Sequence, residues 1–304
     1  MDILDSATLQ RLQSLEFLGH GKRAQTLVFS PDSRLLTSSH TERTESLVVN
    51  WDLLTGGVAG TIRHRFPSGD LRQEYITYST NGTMIAILRQ DSQGQVILSV
   101  YDAVRHKHMH DTYLPNMGTP YGLWNHGECV VAISGTVSRA EPMIITVWEV
   151  GFTPGATITA VETFFIPENV TSSGPGRFYI PHFTIYPPSR SAPLPVTFTS
   201  REGVLVWDAR NSKTLLHRQD VRTLGHVSFS LDGGYVACLT TGLRVYIWKY
   251  SPMGCVLHGK LVSGLHYFSS PLFSPNGESV ITFGGFTISL WHTRNLTTPP
   301  PTVS

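Results

Sequence analysis

Short apolar runs recur along this 304-residue chain, each broken by a turn and answered by a second apolar run. They follow neither a helical period nor a clean alternation, and read as short strands covered on both faces. VFS, FTI and VSF fit the first strand of such a unit, and MIAIL, YVACL and SVITF the second. Turns of the Ser-Pro-Asp/Asn-Gly type lie between them and supply the positive φ of a tight hairpin. A polar gap follows, then a third strand that ends in an aromatic. Those aromatics are Trp51, Tyr101, Trp148, Trp207, Trp248 and Trp291, at intervals of 50, 47, 59, 41 and 43 residues. Five of the six tryptophans hold this one position, which predicts an all-β chain built from a repeated four-stranded unit.

The repeat resembles the WD40 family over about residues 13–293. Trp51-Asp52 and Trp207-Asp208 carry the resemblance, with looser forms at Tyr101-Asp102 and Trp148-Glu149. The FSPD and FSPN turns at Phe29–Asp32 and Phe273–Asn276 add to it, as do Gly19-His20 and Gly225-His226. Two departures stand out: most repeats lack Gly-His, and the acid usual before the third strand is missing from all six. The resemblance implies a β-propeller of six four-stranded blades, at about 24–64, 73–114, 118–166, 179–218, 223–261 and 266–293. A seventh blade would have to lie within Glu149–Pro188. Ser14–Leu18 is expected to close the ring as the outer strand of the last blade. Ser6–Gln13 reads as a short helix within 1–13, Thr171–Gly176 as an inserted loop, and 294–304 as a disordered tail. The initial Met and the leading helix suggest a stand-alone chain.

Composition narrows the function. Charged residues are 15% and the net charge is +1, so no bulk field draws in nucleic acid or an anionic membrane. No apolar run approaches a membrane span and no secretory signal is present, so cytoplasm or nucleus is expected. Cys129, Cys238 and Cys255 have no metal or redox spacing, which fits a reducing compartment, and the sequons at Asn81, Asn169 and Asn295 read as chance.

Candidate chemistry is sparse. His106, His108 and His110 in HKHMHD would face one way on a strand and suggest a zinc or copper site with Asp111, or else a solvent-facing row. GHGK at Gly19–Lys22 lacks the hydroxyl residue and following helix of a phosphate loop. No nucleophile elbow appears, and Asp32, Asp52, Asp208 and Asp232 sit where an acid fixes a turn. No catalytic residue, metal or cofactor is assigned. Loops between blades and between second and third strands hold Lys22, Arg23, Arg43, Arg72, Arg89, Arg139, Arg177, Arg201, Arg222 and Arg244, interspersed with nearly as many acids. Such a mixed, Arg-rich face suits bidentate recognition of a peptide or protein, not a nucleic-acid groove. The expectation is a non-enzymatic interaction scaffold, monomeric or a subunit of a hetero-complex. The alternative is a propeller-type metal-dependent hydrolase or a quinoprotein-like enzyme.

Overall fold

The computed structural model describes residues 2–4, 10–15, 26–42, 45–65, 71–114, 117–136, 143–155, 158–166, 181–182, 194–200, 203–218, 223–230, 234–240, 244–251, 253–262, 271–274, 277–284, 287–294 and 302–303. All described regular structure is β. A hairpin-like pair, β1 (Asp2–Leu4) and β2 (Arg11–Ser14), is followed by six four-stranded sheets in two compact units.

The first unit holds three sheets. Blade 1 is β3 (Thr26–Phe29), β4 (Leu35–Glu42), β5 (Glu45–Asp52) and β6 (Val58–Arg65). Blade 2 is β7 (Leu71–Tyr78), β8 (Met84–Asp91), β9 (Val96–Asp102) and β10 (His108–Tyr113). Blade 3 is β11 (Thr119–His126), β12 (Cys129–Thr136), β13 (Met143–Gly151) and β14 (Ile158–Ile166).

The second unit holds the other three. Blade 4 is β15 (Pro181–His182), β16 (Pro195–Ser200), β17 (Gly203–Asp208) and β18 (Lys213–Arg218). Blade 5 is β19 (Thr223–Phe229), β20 (Tyr235–Thr240), β21 (Arg244–Ser251) and β22 (Gly254–Val262). Blade 6 is β23 (Leu272–Phe273), β24 (Ser279–Gly284), β25 (Thr287–His292) and β26 (Thr302–Val303).

Each seam between successive blades of a unit is its own apolar core. Val48 and Ile62 of blade 1 meet Ile76, Ile85 and Tyr101 of blade 2, while Leu98 and Val100 of blade 2 meet Val130 and Val150 of blade 3. In the second unit Val204 and Val206 meet Val236 and Trp248, and Val245 and Ile247 meet Val280 and Trp291. The closing aromatic thus faces the preceding blade. Trp51, on the first blade, packs with Leu36, Val49, Ile3 and Leu15 instead, so the N-terminal segment covers it.

In four blades a serine builds the first hairpin turn. Ser30, Ser79, Ser230 and Ser274 each accept, through Oγ, the amide of the residue five positions on, at 2.8–2.9 Å. That amide opens the second strand and would otherwise lack an acceptor. Gly82 and Gly277 hold φ near +70° three residues after their serines, and in blade 1 Ser33 takes the same left-handed conformation at φ 57°.

Three sequence expectations are corrected here. Residues 11–14 form strand β2, not the end of a helix: Leu12 is exposed and Leu15 is buried, so no helical face is covered, and a segment this short cannot hold a helix without one. The last blade takes its outer strand from the C-terminal tail and not from Ser14–Leu18, because Thr302 and Val303 pair with Ser289 and Ile288. The proline run stops at Pro301, and the two β-branched residues after it have the amides that pairing needs. The tail is therefore not disordered throughout. Glu149–Ile166 supplies the end of β13 and all of β14 in blade 3, and six four-stranded sheets are seen among the described residues. The Thr171–Gly176 loop and the FTI run at 183–185 lie outside them.

Strand register explains how the tryptophans are satisfied. Opposite Trp51, Trp148, Trp248 and Trp291 stand Leu36, Ala132, Val236 and Val280 of the second strand. Two residues on, along the same face, are Ser38, Ser134, Cys238 and Thr282. Three indole N–H groups donate to the hydroxyls there, each at 2.9 Å. Trp248, which meets the Cys238 thiol where the others meet a hydroxyl, has no acceptor for its buried Nε1. Burial pushes the Cys238 thiol up to about 12, so it stays a neutral, weakly polar group. Cys238→Ser restores the missing acceptor and is expected to exceed Cys238→Ala in stability by about 1 kcal/mol, read from paired urea titrations. Equal midpoints would show that Trp248 is satisfied some other way.

Candidate binding surface

The acids of the repeat hold the turns between third and fourth strands. Asp52 Oδ1 accepts the amides of Leu54 and Thr55, and Asp102 Oδ1 those of Val104 and Arg105. Asp208 accepts from Arg210 and binds the Asn211 side chain. Asp32 does the equivalent work in the first turn with Ser30 and Arg34. These hydrogen bonds hold the carboxyls of Asp32, Asp52 and Asp102 below the ordinary carboxylate value. They are structural acids.

Arg89 overturns part of the expected arginine face. It lies within β8, which runs on to Asp91, and its side chain is 2% exposed. The loop begins later because Asp91 Oδ1 captures the amides of Gln93 and Gln95 and so makes the turn. Inside, Arg89 Nε donates to Glu74 at 3.0 Å and Nη1 to Ser99 at 3.0 Å, while Ser46 of blade 1 donates to the same Glu74 oxygen at 2.6 Å. Farther out, Asp111 accepts from Ser99 and meets His108 Nε2 at 2.9 Å. A polar rail therefore crosses the seam of blades 1 and 2. Arg89 cannot touch a partner.

His64 of β6 stands beside this rail. Burial, and then the Arg89 charge, lower its pKa to about 4, with Asp111 opposing. The histidine run after Tyr101 does not form the even row expected of it. His106 lies in the turn, at φ 55°, with its ring filling the space where a side chain at Gly60 would go. His108 packs edge-on against Tyr101, and the register shifts between His108 and His110. No group of three His, Cys, Asp or Glu among the described residues is placed to hold a metal ion.

Arg244 opens β21 and its side chain is exposed. Along the same face follow half-buried Tyr246, with Lys260 Nζ 5.2 Å from its ring centre, and buried Trp248, stacked on Tyr246 at 5.7 Å. This cation–aromatic edge belongs to the seam of blades 4 and 5. Of the other expected contact residues, Lys22, Arg23, Arg43, Arg139, Arg177, Arg201 and Arg222 lie outside the described residues. Arg72 lies in β7. Sequence reasoning missed Lys260 and Tyr246, because only the β21–β22 register brings them together.

Among solved structures, the β-propeller domain of Myceliophteria thermophila Cps50 (Swd1) is similar over 92% of this chain and 85% of its own, at 16% identity and a TM-score of 0.59. The fold is a WD40-type β-propeller. The C-terminal WD40 domain of Sif2 is similar over 91% of this chain and 82% of its own, at 12% identity and a TM-score of 0.54. No protein-family pattern and no curated protein matches the sequence. Blade 2 keeps the Asp-held turn of blades 1 and 4 even though Tyr101 replaces the tryptophan.

The rail generates two predictions. Arg89→Met strands the Glu74 carboxylate in the seam and should cost about 3–5 kcal/mol, whereas Arg89→Met with Glu74→Leu should recover most of it. Urea unfolding of the single and double variants checks this. The second concerns pH. His64 is more basic in the unfolded chain, near 6.5, than in the fold, near 4. Its contribution is therefore complete above pH 6.5, is lost as pH falls towards 4, and changes no further below. His64→Gln should flatten the stability–pH curve in that window and leave the neutral value close to wild type.

Proposed function

We propose that this propeller is a non-enzymatic interaction scaffold that docks an acidic peptide or protein segment at the β20–β21 hairpin end of its blades. The reading rests on Arg244, an exposed guanidinium beside Tyr246 and Lys260, whereas Arg89 is consumed in the interior. A planar guanidinium binds carboxylates bidentately, and the Lys260 ammonium over Tyr246 adds a second cation on the same strand face, which favours side chains of Asp and Glu in an extended partner. Cys129, Cys238 and Cys255 form no disulfide, which fits work in the cytoplasm or nucleus.

The test is affinity capture from native extract with tagged full-length chain. Arg244→Glu should remove a specific partner, and Lys260→Glu should weaken it by several-fold. Lys213→Glu, on the other end of blade 4, should leave it bound. A partner list that Arg244→Glu leaves intact would exclude this edge.

A further inference from the structure

Among the described residues the outer strand of each blade ends its sheet, and four of the five long ones are visibly guarded. β6 carries Arg63, His64 and Arg65, and β10 carries His108, His110 and Asp111. β18 carries Lys213, His217 and Arg218, and β22 carries His258 and Lys260. The sixth, β26, is two residues long, which is a guard in itself. β14 is different. Its nine residues, ITAVETFFI, include one charge, Glu162, and no Lys, Arg, His, Pro or Gly. It ends the sheet order of blade 3, and Thr159, Ala160, Thr163 and Phe165 are exposed, the last by 66%.

We infer that β14 pairs antiparallel with β14 of a second copy of this chain. The strand is complementary to itself in one register centred on Val161. That register sets Ile158 opposite Phe164, Thr159 opposite Thr163 and Ala160 opposite Glu162. An aromatic faces a β-branched residue, threonine faces threonine, and no carboxylate faces another, all favourable cross-strand pairs. The two residues of each pair share a face of the new sheet, because residues of equal parity meet. Shifting the centre to Glu162 would set like charges opposite each other, so the register is selected by charge as well as by packing.

Size sets the strength. Ile158–Phe164 spans about 24 Å, and a contact confined to one strand edge falls below the roughly 1,200 Å² of a stable interface. The dimer is therefore weak and reversible. The two Glu162 carboxylates lie diagonally across it, about 7–8 Å apart, and repel.

Sedimentation equilibrium of the full chain over a concentration series tests the pairing. Wild type should dimerise as concentration rises, Thr163→Lys should remain monomeric with unchanged circular dichroism, and Glu162→Gln should dimerise several-fold more tightly. Register is read by disulfide trapping in a background with Cys129 and Cys255 changed to Ser. Val161→Cys alone should crosslink. Thr159→Cys and Thr163→Cys should crosslink only when mixed, which serves if Val161→Cys fails to fold. A monomer at every concentration overturns the inference. So does a dimer that ignores Thr163→Lys, or trapping at β14 of a foreign protein in place of a second copy.

Discussion

A strand covered on both faces has no solvent in which to place an unpaired polar group. Apolar runs satisfy that condition along most of β8, β12 and β20, and each polar atom left in a seam needs a partner within it. The fold is largely a record of where those partners were found. Ser38, Ser134 and Thr282 stand where an indole N–H arrives, and Ser30, Ser79, Ser230 and Ser274 stand where a strand begins with a bare amide. Neither set is a surface feature.

The same constraint separates ornament from function among the charges. A repeat with few charged residues spends several of them internally: Asp52 and Asp102 in turns, Glu74 and Arg89 in one seam. What remains available for recognition lies at the surface, where Arg244 and Lys260 are both exposed. The seam of blades 1 and 2 carries a buried ion pair. Its Ser46–Glu74–Arg89–Ser99 chain is directional, so it fixes how those two sheets register where apolar packing alone would tolerate sliding.

The repeat was readable because its signals are local: an aromatic at a fixed place, a Ser-Pro-Asp turn, a continuous apolar run. The all-β class and the six blades follow from those. Arg89 was misplaced because an arginine after an apolar strand looks like the first loop residue, and only Glu74 from the neighbouring strand reveals that the strand continues. The termini failed for a related reason. Ser6–Gln13 reads as a short helix, but Leu15 settles the matter by packing on Trp51, a contact far along the chain. Likewise, the two residues that finish blade 6 follow a proline run that reads as a stop. The Tyr246–Lys260 edge was invisible because cross-strand register is not a property of either segment alone.

Ser30 precedes Pro31 and Ser274 precedes Pro275, a dipeptide open to hydroxyl-modifying enzymes on any extended chain. In the folded blade Ser30 is almost wholly shielded, and its oxygen is already held by a strand amide. A group esterified there would displace that amide and break the hairpin. The hydroxyl is therefore chemically accessible only on a nascent or locally opened blade, so a modified Ser30 would mark a chain that had failed to close its first turn.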